Sequence, residues 1–220
     1  MYSCIVHEHD LRLVVVAGVI CLLESIIAFS SFEQALRNRS RQKVWIGLAA
    51  VVAGLGIWAT HFSAMLAYTP GIPVGYDLLT TLYSVAAAVI VTGIGWLFAL
   101  NARPALAVLG GAIVGAGVGT MHYIGMSAVK IAGFMVRDPT LVGASVIVGI
   151  VLAGAAVWTA RFKSRKFAGL APLLLTAAIC GLHFTAMSAK VGKRANARSL
   201  RRPAHNEPIA LGLRSEFIFG

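Results

Sequence analysis

Three histidines of this chain stand in matching surroundings. Thr60-His61-Phe62-Ser63-Ala64-Met65, Met121-His122-Tyr123-Ile124-Gly125-Met126 and Leu182-His183-Phe184-Thr185-Ala186-Met187 each read His, aromatic, any residue, Ala or Gly, Met. His61, His122 and His183 are 61 residues apart both times. Residues four apart on a helix share a face, so each His projects beside its Met. Imidazole suits several transition metals, and a thioether is a soft ligand that favours Cu(I). His61, Met65, His122, Met126, His183 and Met187 therefore form a candidate metal-binding set. With neither thiolate nor carboxylate in the motif, copper matches it better than calcium, magnesium or structural zinc.

Other readings of the same residues stay open. Methionine on a helix is commonly core filler, and the motif aromatics could belong to an interfacial belt. A histidine inside a membrane helix is costly and is a functional hypothesis by default. Three at one depth could form a metal-free hydrogen-bonded or proton-relay network, and two could serve as axial ligands of a haem. Asp10, Asp77 and Asp138 could orient the imidazoles, but each stands directly before an apolar helix, as N-caps do. Cys180 lacks a counterpart in the other repeats and reads as core. Glu24, near the middle of the first apolar run, is either a functional carboxylate or a protonated, paired core group.

The elements that carry these residues are apolar throughout. Of 220 residues 58% are hydrophobic and 12% charged, with a mean hydropathy of +0.82; a soluble domain has about 25% charged residues. Apolar runs in the roughly 20-residue class that crosses a bilayer fill most of the chain. The pattern predicts helices over about 11–32, 44–68, 77–100, 105–129, 139–160 and 168–189. The fold class is thus an all-α integral membrane protein, six transmembrane helices arranged as three repeated helical hairpins. A fixed period is the signature of such repetition. Asp77 and Asp138 are also 61 apart, as are Ser84 and Ser145. Gly111, Gly115 and Gly119 are spaced to let helices approach closely, and are expected to bring the motif-bearing helices together.

The net charge of +11 would suggest nucleic acid in a soluble protein, but here Lys and Arg flank apolar spans, where they set membrane orientation. Segments 33–43, 99–104 and 161–167 hold four, one and four of them, against Arg12, Lys130 and Arg137 at the other end, the seven Lys and Arg of residues 190–220 left out of the count because their charge runs against it. That places the first set in the cytoplasm, and all three His/Met pairs near the outer face of the cell inner (plasma) membrane. Residues 1–10 contain no Lys or Arg and no cleavage site closes the first apolar run, so a cleaved signal peptide is not expected. Residues 190–220 form a basic tail without a spanning run.

At the triplicated motif the chain resembles the MHYT family of bacterial integral membrane sensor domains. Met121-His122-Tyr123 gives the first three letters of the family name, with Ile124 where it has Thr. The resemblance covers about residues 7–189, including His9-Asp10-Leu11-Arg12 and Tyr76-Asp77. It implies that the motif His and Met residues bind copper and sense a diatomic gas (dioxygen, carbon monoxide or nitric oxide). Members often carry a seventh span and then a cytoplasmic output domain. Here residues 1–189 form the sensor domain and 190–220 contain no recognisable output.

The expected function is a copper-binding membrane sensor, signalling through a separate cytoplasmic partner, with the lipid bilayer and a small gaseous ligand as its other partners. A copper carrier or transporter and a bis-His haem protein are the alternatives. The chain offers no nucleophile–base constellation and no phosphate-binding loop, so it is not read as an enzyme.

Overall fold

In a computed structural model, which describes residues 10–68, 74–130, 134–162, 167 and 169–193, the chain folds into six long helices. They are α1 (Leu11–Arg37), α2 (Gln42–Ala67), α3 (Leu78–Ala99), α4 (Pro104–Ser127), α5 (Pro139–Phe162) and α6 (Leu170–Ser188). All six are long and apolar enough to cross a membrane. A 3-10 turn, Arg39–Arg41, joins α1 to α2. The basic stretch expected to be a loop is largely helical, since α1 runs on to Arg37, where Arg37 pairs with Glu33 at 3.2 Å. Charge does not stop a helix at the membrane–water boundary; losing the next turn's carbonyl partners does.

Each helix packs against its chain neighbours, and α1 meets α6, which closes the ring. The ring has two kinds of member. Half of the most apolar stretch of α2, α4 and α6 is buried, against a third in α1, α3 and α5. The motif-bearing helices are therefore the inner three. The outer helices turn large apolar side chains outward, such as Val15, Val19 and Leu23 on α1, Ile90, Ile94 and Leu97 on α3, and Ile147 and Val151 on α5. Stripes like these suit hydrocarbon and would be a liability in water. The interior is filled by Trp96, Phe32, Ile57, Met121, Leu175 and Leu182 among others; Trp96 stands edge-on to Phe29 at 5.2 Å between ring centres.

Glycine sets how closely the helices approach, with partners other than those expected. A Cβ on Gly111 would meet the Ala153 carbonyl oxygen at 2.6 Å, and one on Gly115 would lie 2.7 Å from the Gly149 carbonyl carbon. Both residues thus press α4 onto α5, an outer helix, and not onto another motif-bearing helix. Gly119 has only Leu182 Cδ1 and Val146 Cγ2 within reach, at 3.6 and 3.8 Å. A small-residue spacing shows that a helix has a close neighbour without saying which one.

The hairpins are latched identically at the motif end. Asp10, Asp77 and Asp138 donate their backbone N–H to the carbonyls of Ala67, Ala128 and Ala189, at 2.8, 2.8 and 2.9 Å. Each acceptor stands six residues after its motif histidine. The Asp side chains accept from backbone N–H groups of the helix they precede, those of Arg12, Thr80 and Thr140. These three aspartates are N-caps. Two short antiparallel pairings lie beyond the latches. Strand β1 (Gly75–Tyr76) pairs with β2 (Val129–Lys130), and β3 (Phe134–Arg137) with β4 (Lys190–Lys193). The first four residues of the basic tail thus continue the fold as a strand.

Candidate metal centre

The motif repeats because three equivalent helices deliver one histidine each to a common point. His61, His122 and His183 are all buried, and their candidate ligand atoms lie within 4.8 Å of one another. His61 Nδ1 is 3.2 Å from His122 Nδ1 and 3.3 Å from His183 Nδ1. The rings stand nearly perpendicular to one another, at 86°, 76° and 88°, like blades about one axis. Each is steadied by the next residue of its own helix. Phe62, Tyr123 and Phe184 meet their histidines edge to face, with centres 4.9, 5.0 and 5.1 Å apart. Tyr123 is itself anchored, its hydroxyl 2.6 Å from that of Ser145 on α5.

Position +3 of the motif has a structural reason in the second repeat. A Cβ on Gly125 would fall 2.8 Å from His61 Nε2. The missing side chain of α4 is what lets the α2 imidazole reach the centre. The motif pattern contains this glycine, but its service to a histidine 64 positions earlier becomes visible only in three dimensions.

The three methionines also meet. Met65, Met126 and Met187 are buried in one cluster of their own, packed by Tyr68, Tyr76 and Val129. They form a layer one turn beyond the histidines toward the latched end. Tyr76 closes this layer and faces Phe62 at 5.5 Å; burial pushes its phenol pKa up.

On the other side of the triad is a cavity of about 10 Å3, roughly the room that one water-sized molecule occupies. Its wall repeats the three-fold plan. Ile57, Val118 and Ile179 stand four residues before each histidine, and Thr60, Met121 and Leu182 one before. These lining positions were not singled out by the motif reading, although counting back one turn from each histidine finds them.

The donor set fits a transition-metal ion. Metal-bound imidazole nitrogens stand about 2.0–2.1 Å from the ion, so three of them around one ion are about 3.5 Å apart, close to the spacing found. Neutral imidazoles in a dry site suit copper, and also other borderline ions. A haem between His61 and either of the others does not fit: Nδ1 atoms 3.2–3.3 Å apart leave no gap for a macrocycle.

Glu24 and the cysteines are not members of this convergent group. Glu24 is buried in the α1–α2 wall, where its stem fills the notch at Gly56 and its Oε1 accepts from Ser25 Oγ at 3.3 Å. Cys21 on α1 neighbours Cys180 on α6, and both are free thiols.

Comparison with known proteins agrees with the repeat. The family model for MHYT, described as a bacterial signalling protein N terminal repeat, matches residues 54–112 and again 115–172. The matches start 61 residues apart and together cover more than half of the chain. A signalling protein of Caulobacter vibrioides is 39% identical over 197 residues, 86% of this chain and 24% of its own length. Two Pseudomonas aeruginosa proteins are similar as well. The bifunctional diguanylate cyclase/cyclic di-GMP phosphodiesterase MucR is 33% identical, covering 84% of this chain and 28% of that protein. The cyclic di-GMP phosphodiesterase NbdA is 32% identical, covering 91% and 27%. The chain spans about a quarter of the length of these relatives. No solved structure matches it.

Proposed function

Since this chain belongs to the MHYT family of bacterial signalling proteins, we propose that it is a membrane sensor domain that holds copper on His61, His122 and His183. Met65, Met126 and Met187 supply the soft layer beside the imidazoles. The ligand sensed is a diatomic gas: dioxygen, carbon monoxide or nitric oxide. The observation that carries this reading is the convergence of three buried Nδ1 atoms from three repeats.

Cuprous ion on three neutral imidazoles supplies an electron-rich position that such gases can occupy. The chain's own residues do the rest. The ring of apolar helices excludes water, the edge-on aromatics fix each imidazole plane, and the Asp latches close each hairpin at the motif end. A ligand that changes how the imidazoles meet must shift α2, α4 and α6 relative to one another, because each helix carries one ring rigidly. Differential contact in two packings is what makes a sensor. We take the membrane to be the bacterial inner membrane. The output would be a cyclic di-GMP enzyme on the cytoplasmic side, given the names its relatives carry.

The deciding measurement is copper content of detergent-purified protein after anaerobic Cu(I) loading. Wild type should hold copper at a fixed ratio, and His61→Ala, His122→Ala and His183→Ala should each lose it. A wild type that holds none would end the copper reading. It would leave the second one, a proton-linked histidine network, which the Nδ1 contacts of hydrogen-bond length favour. A transporter would additionally carry copper across proteoliposomes, where a sensor gives no flux.

A further inference from the structure

The cavity beside the triad is apolar with one exception. Its wall outside the histidines is Ile57, Val118, Ile179, Met121 and Leu182, and then Thr60. Thr60 is 3% exposed, and its Oγ1 meets no nitrogen or oxygen partner among the described residues. Its polar neighbour is the Cys21 thiol, a weak hydrogen-bond partner that itself donates to the Thr176 carbonyl oxygen at 3.9 Å.

This is unusual within the same molecule. Threonine in a helix normally returns its hydroxyl to the carbonyl four residues back. Thr92, Thr120, Thr159 and Thr176 all do so, at 2.8–2.9 Å. Thr60 does not. Leaving a buried hydroxyl with only a thiol for company is unfavourable, and the equivalent positions show that none is needed for packing, since Met121 and Leu182 take the same place in the other repeats.

We propose that this cavity is the docking space of the gas, and that the Thr60 hydroxyl is its hydrogen-bond donor and specificity residue. The proposal rests on the copper and gas reading above. The cavity, about the room of one water-sized molecule, lies directly against the imidazoles and is on the side away from the methionine layer. A diatomic ligand enters it by pushing the wall apart slightly. A ligand there has a single polar side chain beside it other than the histidines. Gases differ in what they offer such a donor. Bound dioxygen and nitric oxide gather negative charge on the outer atom and accept a hydrogen bond; bound carbon monoxide gathers little. Hydrogen-bond donors and steric access in a ligand pocket are established levers over which gas is held. Thr60 therefore favours dioxygen and nitric oxide over carbon monoxide, and Val118 and Leu182 limit the size admitted.

The test compares wild type with Thr60→Val and Thr60→Ser, Cu(I)-loaded and anaerobic, titrated with carbon monoxide and then with nitric oxide in competition. Thr60→Val should keep its copper and its carbon monoxide affinity, and lose nitric oxide affinity on the order of tenfold, one hydrogen bond's worth. Thr60→Ser, which retains the hydroxyl, should restore most of it. Val118→Leu, which adds one methylene to the wall, should weaken both gases while leaving copper bound. Metal-free Thr60→Val should melt close to wild type, because it loses only a weak contact with the Cys21 thiol. Equal loss of both gases in Thr60→Val, or no loss of either, overturns this proposal alone. Copper-loaded wild type that binds neither gas overturns the gas reading with it, and wild type without copper overturns both.

Discussion

A methyl group at position 125 would land 2.8 Å from His61 Nε2 and 3.1 Å from His61 Cδ2. An imidazole is stiff and cannot yield as a long aliphatic chain would, so it must rotate away from the centre or push α2 from α4. Ala64 and Ala186 hold the same motif position in the other repeats and are buried without trouble, so one of three contacts needs glycine. Gly125→Ala should therefore lower copper occupancy at least several-fold while the six helices still form. Overpacking of this kind costs about 1–3 kcal/mol, although alanine in a helix interior ordinarily gains about 0.5–1 kcal/mol over glycine. Copper content and a thermal melt of the same preparation separate the two effects. Full copper occupancy in Gly125→Ala would show that the His61 ring is not held by this contact.

At the scale of elements, each Asp cap ties the two helices of its own hairpin together at the motif end. The Asp77 carboxylate accepts from the Thr80 backbone N–H at 2.9 Å and from the Thr80 hydroxyl at 2.7 Å. These bonds, the backbone one foremost, favour the charged form and hold its pKa below the ordinary 3.8, with Lys130 adding a little. A carboxyl whose pKa is depressed by folding adds stability above its unfolded value, and that stability is lost as pH falls through the folded one. Melting temperature in detergent should fall as pH drops below about 4. Asp77→Asn, which keeps an acceptor at the cap but not the charge, should show a shallower fall; an identical slope would mean that the cap charge contributes nothing. The caps were legible in the sequence because Asp, followed by an apolar run at a 61-residue period, has a local cause. So were the six helices and the three histidines, which hydropathy and spacing determine. Partner choice was not. Gly111 and Gly115 carry the close-packing signal, yet nothing local says that α5 is what they meet. Two-residue strands such as Gly75–Tyr76 have no period to read, and their pairing with Val129–Lys130 depends on which loops the closed ring brings together.

For the whole molecule the open question is which end faces the cell interior. The structure sorts the loops into two rims, and β4 adds Lys190 and Lys193 to the latched one. The guanidinium of Arg161 donates to the Asn101 carbonyl oxygen at 2.9 Å, so the 99–104 return and the end of α5 share one rim. Both strand pairings and all three Asp latches lie at the other rim. The Lys and Arg outside residues 190–220 are concentrated at the first rim, the bias that cytoplasmic loops carry. In that orientation the methionine layer would face outward, where copper from outside the cell would meet thioethers before imidazoles, and the proposed gas cavity would lie on the cytoplasmic side of the triad. Ser40 and Ser127 are exposed at opposite rims. With Cys4 replaced by serine, Ser127→Cys should react with a membrane-impermeant maleimide on intact spheroplasts, and Ser40→Cys only after permeabilisation. The reverse pattern would turn the molecule over. It would leave the triad and its cavity intact but put the methionine layer on the cytoplasmic side, so that copper would have to be loaded from within the cell and the response passed to a partner at the latched rim.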